Sequence, residues 1–288
     1  MESKAATVLS IEQLATLAND AFTGYIGNLV SFTGETLTKW LQNNFISLPL
    51  SHVFFSPDNP DEPIAFGLIA LDDARPGKSR LGAMGVVPAF QGKGVGGRAL
   101  TTIIDAERRR GVSLFELEVI QQNTRGVQLY KRAGFTVHRE LLGWQRDAPG
   151  SDEFRDSSSE LKSCSFEDVD KLVKEHGATD LPWQAWGFVK NAHAKTHRAF
   201  QLGNAYCVVS NPEDDEKDTV GLQSLIVAPS SRGKGEASQL IKALMTRYPT
   251  KKWMASPIFP KEYGDKIAAA LGFSTTSLTQ YQMYLKLD

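Results

Sequence analysis

The chain has 288 residues, enough for two domains of ordinary size, and sets 32 Lys and Arg against 33 Asp and Glu for a formal net charge of −1. That balance offers no electrostatic footprint for nucleic acid or an anionic membrane surface, and no apolar run approaches the ~20 residues of a spanning helix. The N-terminus lacks the basic-then-apolar order of a secretory signal, and Cys164 and Cys207 lie far apart and need no partner, so a cytoplasmic protein is expected.

The first stretch with chemical content is residues 86–97, where a β-rich segment runs through Pro88 into a glycine-dense turn and then into an amphipathic helix. Gly92, Gly94, Gly96 and Gly97 remove the Cβ atoms that would hold a bulky anion off the backbone, so successive N–H groups converge beside a helix N-terminus. A phosphorylated ligand is the expected occupant, and three readings compete for it. A Walker-type loop needs Lys then Ser or Thr after its last glycine, but Gly97 is followed by Arg98 and Ala99. A dinucleotide fingerprint is present as Gly92, Gly94 and Gly97, with Glu116 and Glu118 lying ~20 residues on, where a ribose-binding acid belongs. The loop Gln/Arg-x-x-Gly-x-Gly/Ala of acyl-CoA-dependent transferases is met by Gln91, Gly94 and Gly96.

The helix that follows places Leu100, Ile103 and Ile104 on one face and ends in Arg108, Arg109 and Arg110 before Gly111, a dipole-complementing finish rather than a nucleic-acid patch. Residues 112–120 read as a strand with Phe115, Leu117 and Val119 on one face and Leu114, Glu116 and Glu118 on the other. Asn123 stands in a short loop, residues 124–133 have helical composition, and Gly134-Phe135 leads into a strand over 136–144.

Leu117-Glu118-Val119, Asn123, Leu129-Tyr130 and Gly134-Phe135, following the Gln91–Gly96 loop, resemble the core of the GNAT superfamily of acyl-CoA-dependent N-acyltransferases over at least residues 52–140. The resemblance implies an α/β fold, a mixed sheet whose fourth and fifth strands splay to admit the pantetheine arm of acetyl-CoA. Met84, Gly85 and Val86 would supply strand contacts. Gln91, Gly92, Lys93, Gly94, Val95, Gly96 and Gly97 would form the pyrophosphate loop, and Asn123 and Tyr130 would lie near the thiol. An amine with a pKa near ~10 must lose a proton before attacking a thioester. By resemblance Glu118 is the candidate base, with a structural ion pair as its competing reading and Glu116 in reserve on the acceptor side. Tyr130 is the candidate acid for the departing thiolate. The acceptor wall would include Tyr25, with Phe32 and Trp40 equally explained as core. A small-molecule amine or amino acid is the expected substrate of a monomer or homodimer. A peptide N-terminus, or a sensor that binds acyl-CoA without turnover, are the alternatives.

Residues 225–237 repeat the loop with Arg232, Gly233, Gly235 and Glu236, so the chain reads as a tandem: a complete domain at 1–148, a polar linker at 149–160 and a degenerate domain at 161–288. The repeat has Ser238 where the dinucleotide fingerprint needs a third glycine. Ala268 stands where the first copy has Tyr130, and Glu236 places a carboxylate in the loop, against a pyrophosphate. His193 and His197 have a metal-ligand spacing without a third ligand, and Trp183, Trp186 and Phe188 read as core, so no metal and no base-stacking surface are expected.

Overall fold

The structure, a computed structural model, describes residues 1–26, 31–73, 75–150, 161–176, 181–187 and 195–287. Residues 151–160 of the expected linker, His193 and Phe188 lie outside them. Two compact units emerge, residues 1–139 with 281–288, and residues 140–280.

Unit 1 opens with β1 (Glu2–Ala5), α1 (Ile11–Ala21) and α2 (Gly34–Asn43), then β2 (His52–Phe55), β3 (Pro63–Ala70), β4 (Lys78–Val86), α3 (Val95–Arg109), β5 (Leu114–Ile120), α4 (Thr124–Arg132) and β6 (Thr136–Arg146). Strands β1 to β4 pair antiparallel in sequence order, and β4 pairs parallel with β5. Capping boxes start both early helices, Ser10 with Gln13 and Thr33 with Thr36. Leu14, Leu17 and Ala18 of α1 and Leu37 of α2 then pack on Val53, Phe55, Phe66 and Leu68, covering one face of the sheet. On the other face Ala99, Leu100 and Ile103 of α3 pack on Phe54, Leu81, Phe115 and Leu117. Each buried Val, Leu, Ile or Phe among them is worth ~1.5–3 kcal/mol. Gly67 allows α3 to sit this close, because a Cβ there would lie 2.3 Å from Ile103 Cδ1.

Unit 2 contains β7 (Lys162–Cys164), α5 (Phe166–His176), α6 (Trp183–Gly187), β8 (His197–Leu202), β9 (Ala205–Ser210), β10 (Thr219–Val227), α7 (Glu236–Arg247), β11 (Lys252–Pro260), α8 (Lys261–Ala270) and β12 (Ser274–Thr275). Its strands run β7-β8-β9-β10-β11, with β10 and β11 parallel. Helix α7 packs on Val209, Val220 and Trp253. Val169 and Val173 of α5 pack on Ala199, Val208 and Ile226. Cys164 and Cys207 are free thiols.

The unit boundaries depart from the expected cuts at 148 and 161, because the two halves of the sequence exchange strands. The last strand, β13 (Gln280–Lys286), lies between β5 and β6 in the strand order, and from Tyr281 onward it belongs to unit 1. Conversely, β6 leaves unit 1 after Arg139, and its Leu141–Arg146 stretch pairs antiparallel with Pro260–Trp253 of β11, while Trp144 and Gln145 pair with β12. Each sheet is therefore completed by a strand encoded in the opposite half.

Candidate active site

The site of unit 1 begins where β4 and β5 part. Their parallel ladder runs through Lys78↔Leu114, Ser79↔Phe115 and Arg80↔Glu116 and ends there. Against β3, Leu68 faces Ala83 and Ile69 faces Leu81, so Gly82 is the extra residue of a β-bulge. Bulges bend a strand and increase its twist, and this one falls two residues past the last ladder pair. Beyond it Met84, Gly85 and Val86 pair with Gly67, Phe66 and Ala65 of β3, leaving the β5 side of β4 as an open backbone edge. Gly85 is also a packing residue, since a Cβ would come within 2.8 Å of both Ala21 and Phe66.

Val86 delivers the chain into the glycine loop. Gln91 Nε2 donates to the Val86 carbonyl at 2.9 Å, clamping the loop to the end of β4. Gly92 and Gly94 adopt φ +73° and +76°, and Gly94 is the N-cap of α3. A helix leaves its first amides without internal acceptors. Here they belong to Val95, Gly96 and Gly97, the next N–H, of Arg98, being taken by Gly94 O at 3.2 Å. Open space lies where a Cβ of Gly92 or Gly97 would project, and the first turn of α3 carries no acidic residue. Lys93 Nζ sits over the Phe90 ring and Arg98 Nη1 bonds the Lys93 carbonyl. Donors, positive helix terminus and room together suit a phosphate-bearing ligand.

Helix α4 closes the other side. Leu129 Cδ2 and Val86 Cγ2 lie 3.6 and 3.7 Å from where a Gly96 Cβ would stand, which places α4 beside both the loop and the open strand end. Asn123 caps α4 by accepting the Gly126 N–H at 3.0 Å and reaches Tyr25 with Nδ2, 3.3 Å from the hydroxyl. Tyr130 packs edge-on against Phe135, and burial, with a smaller contribution from Tyr25, pushes its pKa well up, so the phenol is protonated at neutral pH. Tyr25 thus reaches the start of α4 from 98 residues away, and Tyr130 lies on that same helix.

Glu116 and Glu118 are placed differently. Glu118 Oε2 accepts from Arg80 Nε at 2.6 Å, with side-chain exposures of 0% and 2% for the pair. Its Oε1 and Arg80 Nη1 are buried without hydrogen-bond partners. The pair joins Arg80, a member of the last ladder pair, to Glu118 two residues farther along β5, so it acts as a strut at the mouth of the splay, and the ion-pair reading of Glu118 fits this arrangement. Glu116 is also sealed, receiving Arg75 Nη1 at 2.9 Å and Gln282 Nε2 at 3.1 Å. Its carboxyl is pushed above the usual range, because desolvation outweighs the Arg75 guanidinium. Neither is open to an acceptor amine as the sequence reading had it. Arg75, Arg80 and Gln282 went unnoticed in the sequence. Only strand register, with Arg80 opposite Glu116, would have pointed to Arg80.

Unit 2 repeats the scaffold. Its bulge falls at Gln223, which aligns with Gly82 when the two glycine loops are matched, and its parallel ladder ends at Leu222↔Ala255. Arg232 Nε holds the Val227 carbonyl at 3.1 Å as Gln91 holds Val86, and Gly233 and Gly235 take φ +78° and +84°. Glu236 does not simply face the loop: its Oε2 accepts the Asn204 N–H at 2.7 Å in the β8–β9 turn. Ala268 does stand in the place of Tyr130, its carbonyl receiving Phe273 N–H at 2.9 Å as Tyr130 receives Phe135 at 3.0 Å.

A family model described as the acetyltransferase (GNAT) family matches residues 11–135. Those residues belong to the GNAT acetyltransferase family. A mycothiol acetyltransferase of Propionibacterium freudenreichii subsp. shermanii is 37% identical over 98 residues, 33% of this chain and 31% of that protein. The chain spans under a third of the length of the curated relatives it matches, 31% and 27%. Among solved structures, a tandem GNAT protein from the clavulanic acid biosynthesis pathway superposes with TM-score 0.64 at 14% identity, over 100% of this chain and 99% of its own. A GCN5-related N-acetyltransferase from Sphaerobacter thermophilus gives TM-score 0.66 at 13% identity, over 99% and 95%. The chain therefore has a tandem GNAT fold.

Proposed function

We propose that the chain is an N-acetyltransferase that carries an acetyl group from acetyl-CoA to the primary amine of a small molecule or amino acid, working through unit 1. The observation that carries this reading is the difference between otherwise matching scaffolds: both units have the bulge, the splay and the glycine loop, but Tyr130 is present in unit 1 and replaced by Ala268 in unit 2. The open edge of Met84, Gly85 and Val86 would take the amides of the pantetheine arm, and residues 92–97 its pyrophosphate. Bound there, acetyl-CoA supplies an activated thioester.

The chain's own residues then have limited tasks. Tyr130 holds a proton at neutral pH and gives it to the departing sulfur. Asn123 and Tyr25, bonded to each other, stand at the start of the helix that carries it. Glu118 enters as the strut that keeps the mouth of the splay in shape, and water takes the proton that the ammonium must shed. The relative named a mycothiol acetyltransferase favours a small-molecule acceptor over a protein one.

Thiol release from acetyl-CoA against a panel of amines, amino acids and peptides tests the reading, with calorimetric titration of acetyl-CoA alongside. Turnover with one class of amine, lost in Tyr130→Phe, is expected. Binding without turnover for any acceptor would instead identify a sensor, and saturable NADH binding without CoA binding would overturn the acyl-CoA reading.

A further inference from the structure

Matching the two glycine loops aligns Gln223 with Gly82, and the parallel ladders then set Gly221 and Met254 of unit 2 in the places of Arg80 and Glu116, since Gly221 pairs with Met254 as Arg80 pairs with Glu116. Two residues farther along, Ser256 takes the place of Glu118. Unit 1 fills this locus with two ion pairs whose side chains are at most 3% exposed. Unit 2 has no charge at any of the three positions, and among its described residues a cavity of about 330 Å³ lies there, bordered by Ser210, Gly221, Gln223, Met254 and Ser256. The bulge is inverted as well, with glycine then side chain (Gly221, Gln223) in place of side chain then glycine (Arg80, Gly82). A Cβ on Gly221 would lie 2.5 Å from Ser210 Oγ and 2.8 Å from Gln223 Nε2, and Gln223 Nε2 donates to Ser210 Oγ at 2.9 Å, so these two polar ends stand together over bare backbone.

We propose that this cavity is a binding site of unit 2 for a neutral, polyhydroxylated molecule of monosaccharide size. The hydroxyl and amide side chains that border it both donate and accept, as the hydroxyls of such a ligand do. Lys217 and Asp218 border it too, one charge of each sign, and Asp218 is paired with Lys252 at 3.2 Å. A charged ligand would give up its water to a lining of no net charge, which is the costly case, whereas hydroxyls exchange water for equivalent partners. Met254 and the bare backbone of Gly221 offer apolar surface to the C–H face of a ring. At ~30 Å³ of liquid volume per water, the cavity has the capacity of about eleven waters. Every residue named as bordering it belongs to unit 2, so the inference stands independently of acetyl transfer in unit 1.

Saturation-transfer NMR titration of the full chain with glucose and with gluconate, the same frame carrying a carboxylate, tests the site. Glucose should bind, about tenfold or more tighter than gluconate. Gln223→Leu keeps the volume and removes the amide, and Ser256→Ala removes one hydroxyl. Each should weaken glucose by about tenfold, the scale of a lost hydrogen bond, with a melting temperature near that of wild type. Gly221→Arg returns the side chain of unit 1 to the cavity and should abolish binding, and if that variant does not fold the other two decide. Absence of saturable glucose binding would overturn the site. Gluconate binding as tightly as glucose would overturn the neutral class, and glucose affinity unchanged in both Gln223→Leu and Ser256→Ala would overturn the location.

Discussion

Replacing Glu118 by glutamine leaves the shape of the side chain and one oxygen for Arg80 Nε, but strips the counter-charge from a guanidinium that is 2% exposed. Breaking a buried pair by removing one partner typically costs ~3–5 kcal/mol. A Coulomb energy of ~4 kcal/mol at 4 Å and an effective dielectric of 20 is of the same size. The retained hydrogen bond sets the expectation at the low end, about 3 kcal/mol. With ~2–4 °C of melting temperature per kcal/mol in domains of 150–250 residues, Glu118→Gln should melt about 6–12 °C below wild type by circular dichroism of the full chain. Arg80→Met added to it should restore most of the loss, since a neutral pair leaves no uncompensated charge. A single variant that melts within a degree or two of wild type, while the acidic limb of its kcat/KM profile flattens, would refute the strut and return Glu118 to the role of base.

Tyr130→Phe should lower kcat by ~10²–10⁴ with little change in melting temperature, and a loss well below tenfold would make the hydroxyl a positioning group. Because burial raises the Tyr130 pKa in the fold, its share of stability is whole below pH ~10 and declines above it as the unfolded phenol ionises. The same variant should therefore lessen the alkaline fall in urea midpoints, part of which remains because burial also raises the Cys207 thiol. Gly97 lies in α3 with open space beyond its Cα. Gly97→Ala should thus stabilise the chain by ~0.5–1 kcal/mol while weakening acetyl-CoA binding in calorimetry, and Gly97→Glu should abolish that binding. Equal affinity in Gly97→Glu would remove the phosphate cradle from this loop. Expressed alone, residues 1–148 should fail to give a cooperative unfolding transition, because they lack β13 and leave Glu116 without Gln282; a cooperative melt with bound CoA would contradict the strand exchange.

Much of the site was readable from local chemistry. Glycines at positive φ, the helix after them, the alternation in β5 and the Asn123 cap each depend on residues close in sequence, and each signature survives without knowledge of the rest. What was hidden depends on partners. The alternation of residues 281–287 announces a strand but carries nothing about which sheet it enters, so the cut after residue 148 followed the linker composition and missed the exchange. Likewise Glu118 shows its face of β5 in the sequence, but Arg80 becomes its partner only through the parallel register of β4. Glu236 was read as facing an anion because its position at the helix start was visible, while the Asn204 N–H that turns it aside belongs to a hairpin 32 residues away.

The exchanged strand also fixes an order of events during synthesis. Strand β5 has its place in the sheet beside the segment from Tyr281 onward, so its edge stays bare until the chain between residues 121 and 280 has been made. A bare strand edge is a template for mispairing, and non-local pairings of this span close slowly. A chain cut short before Tyr281 therefore carries its glycine loop and Tyr130 in a sheet that is still open beside β5.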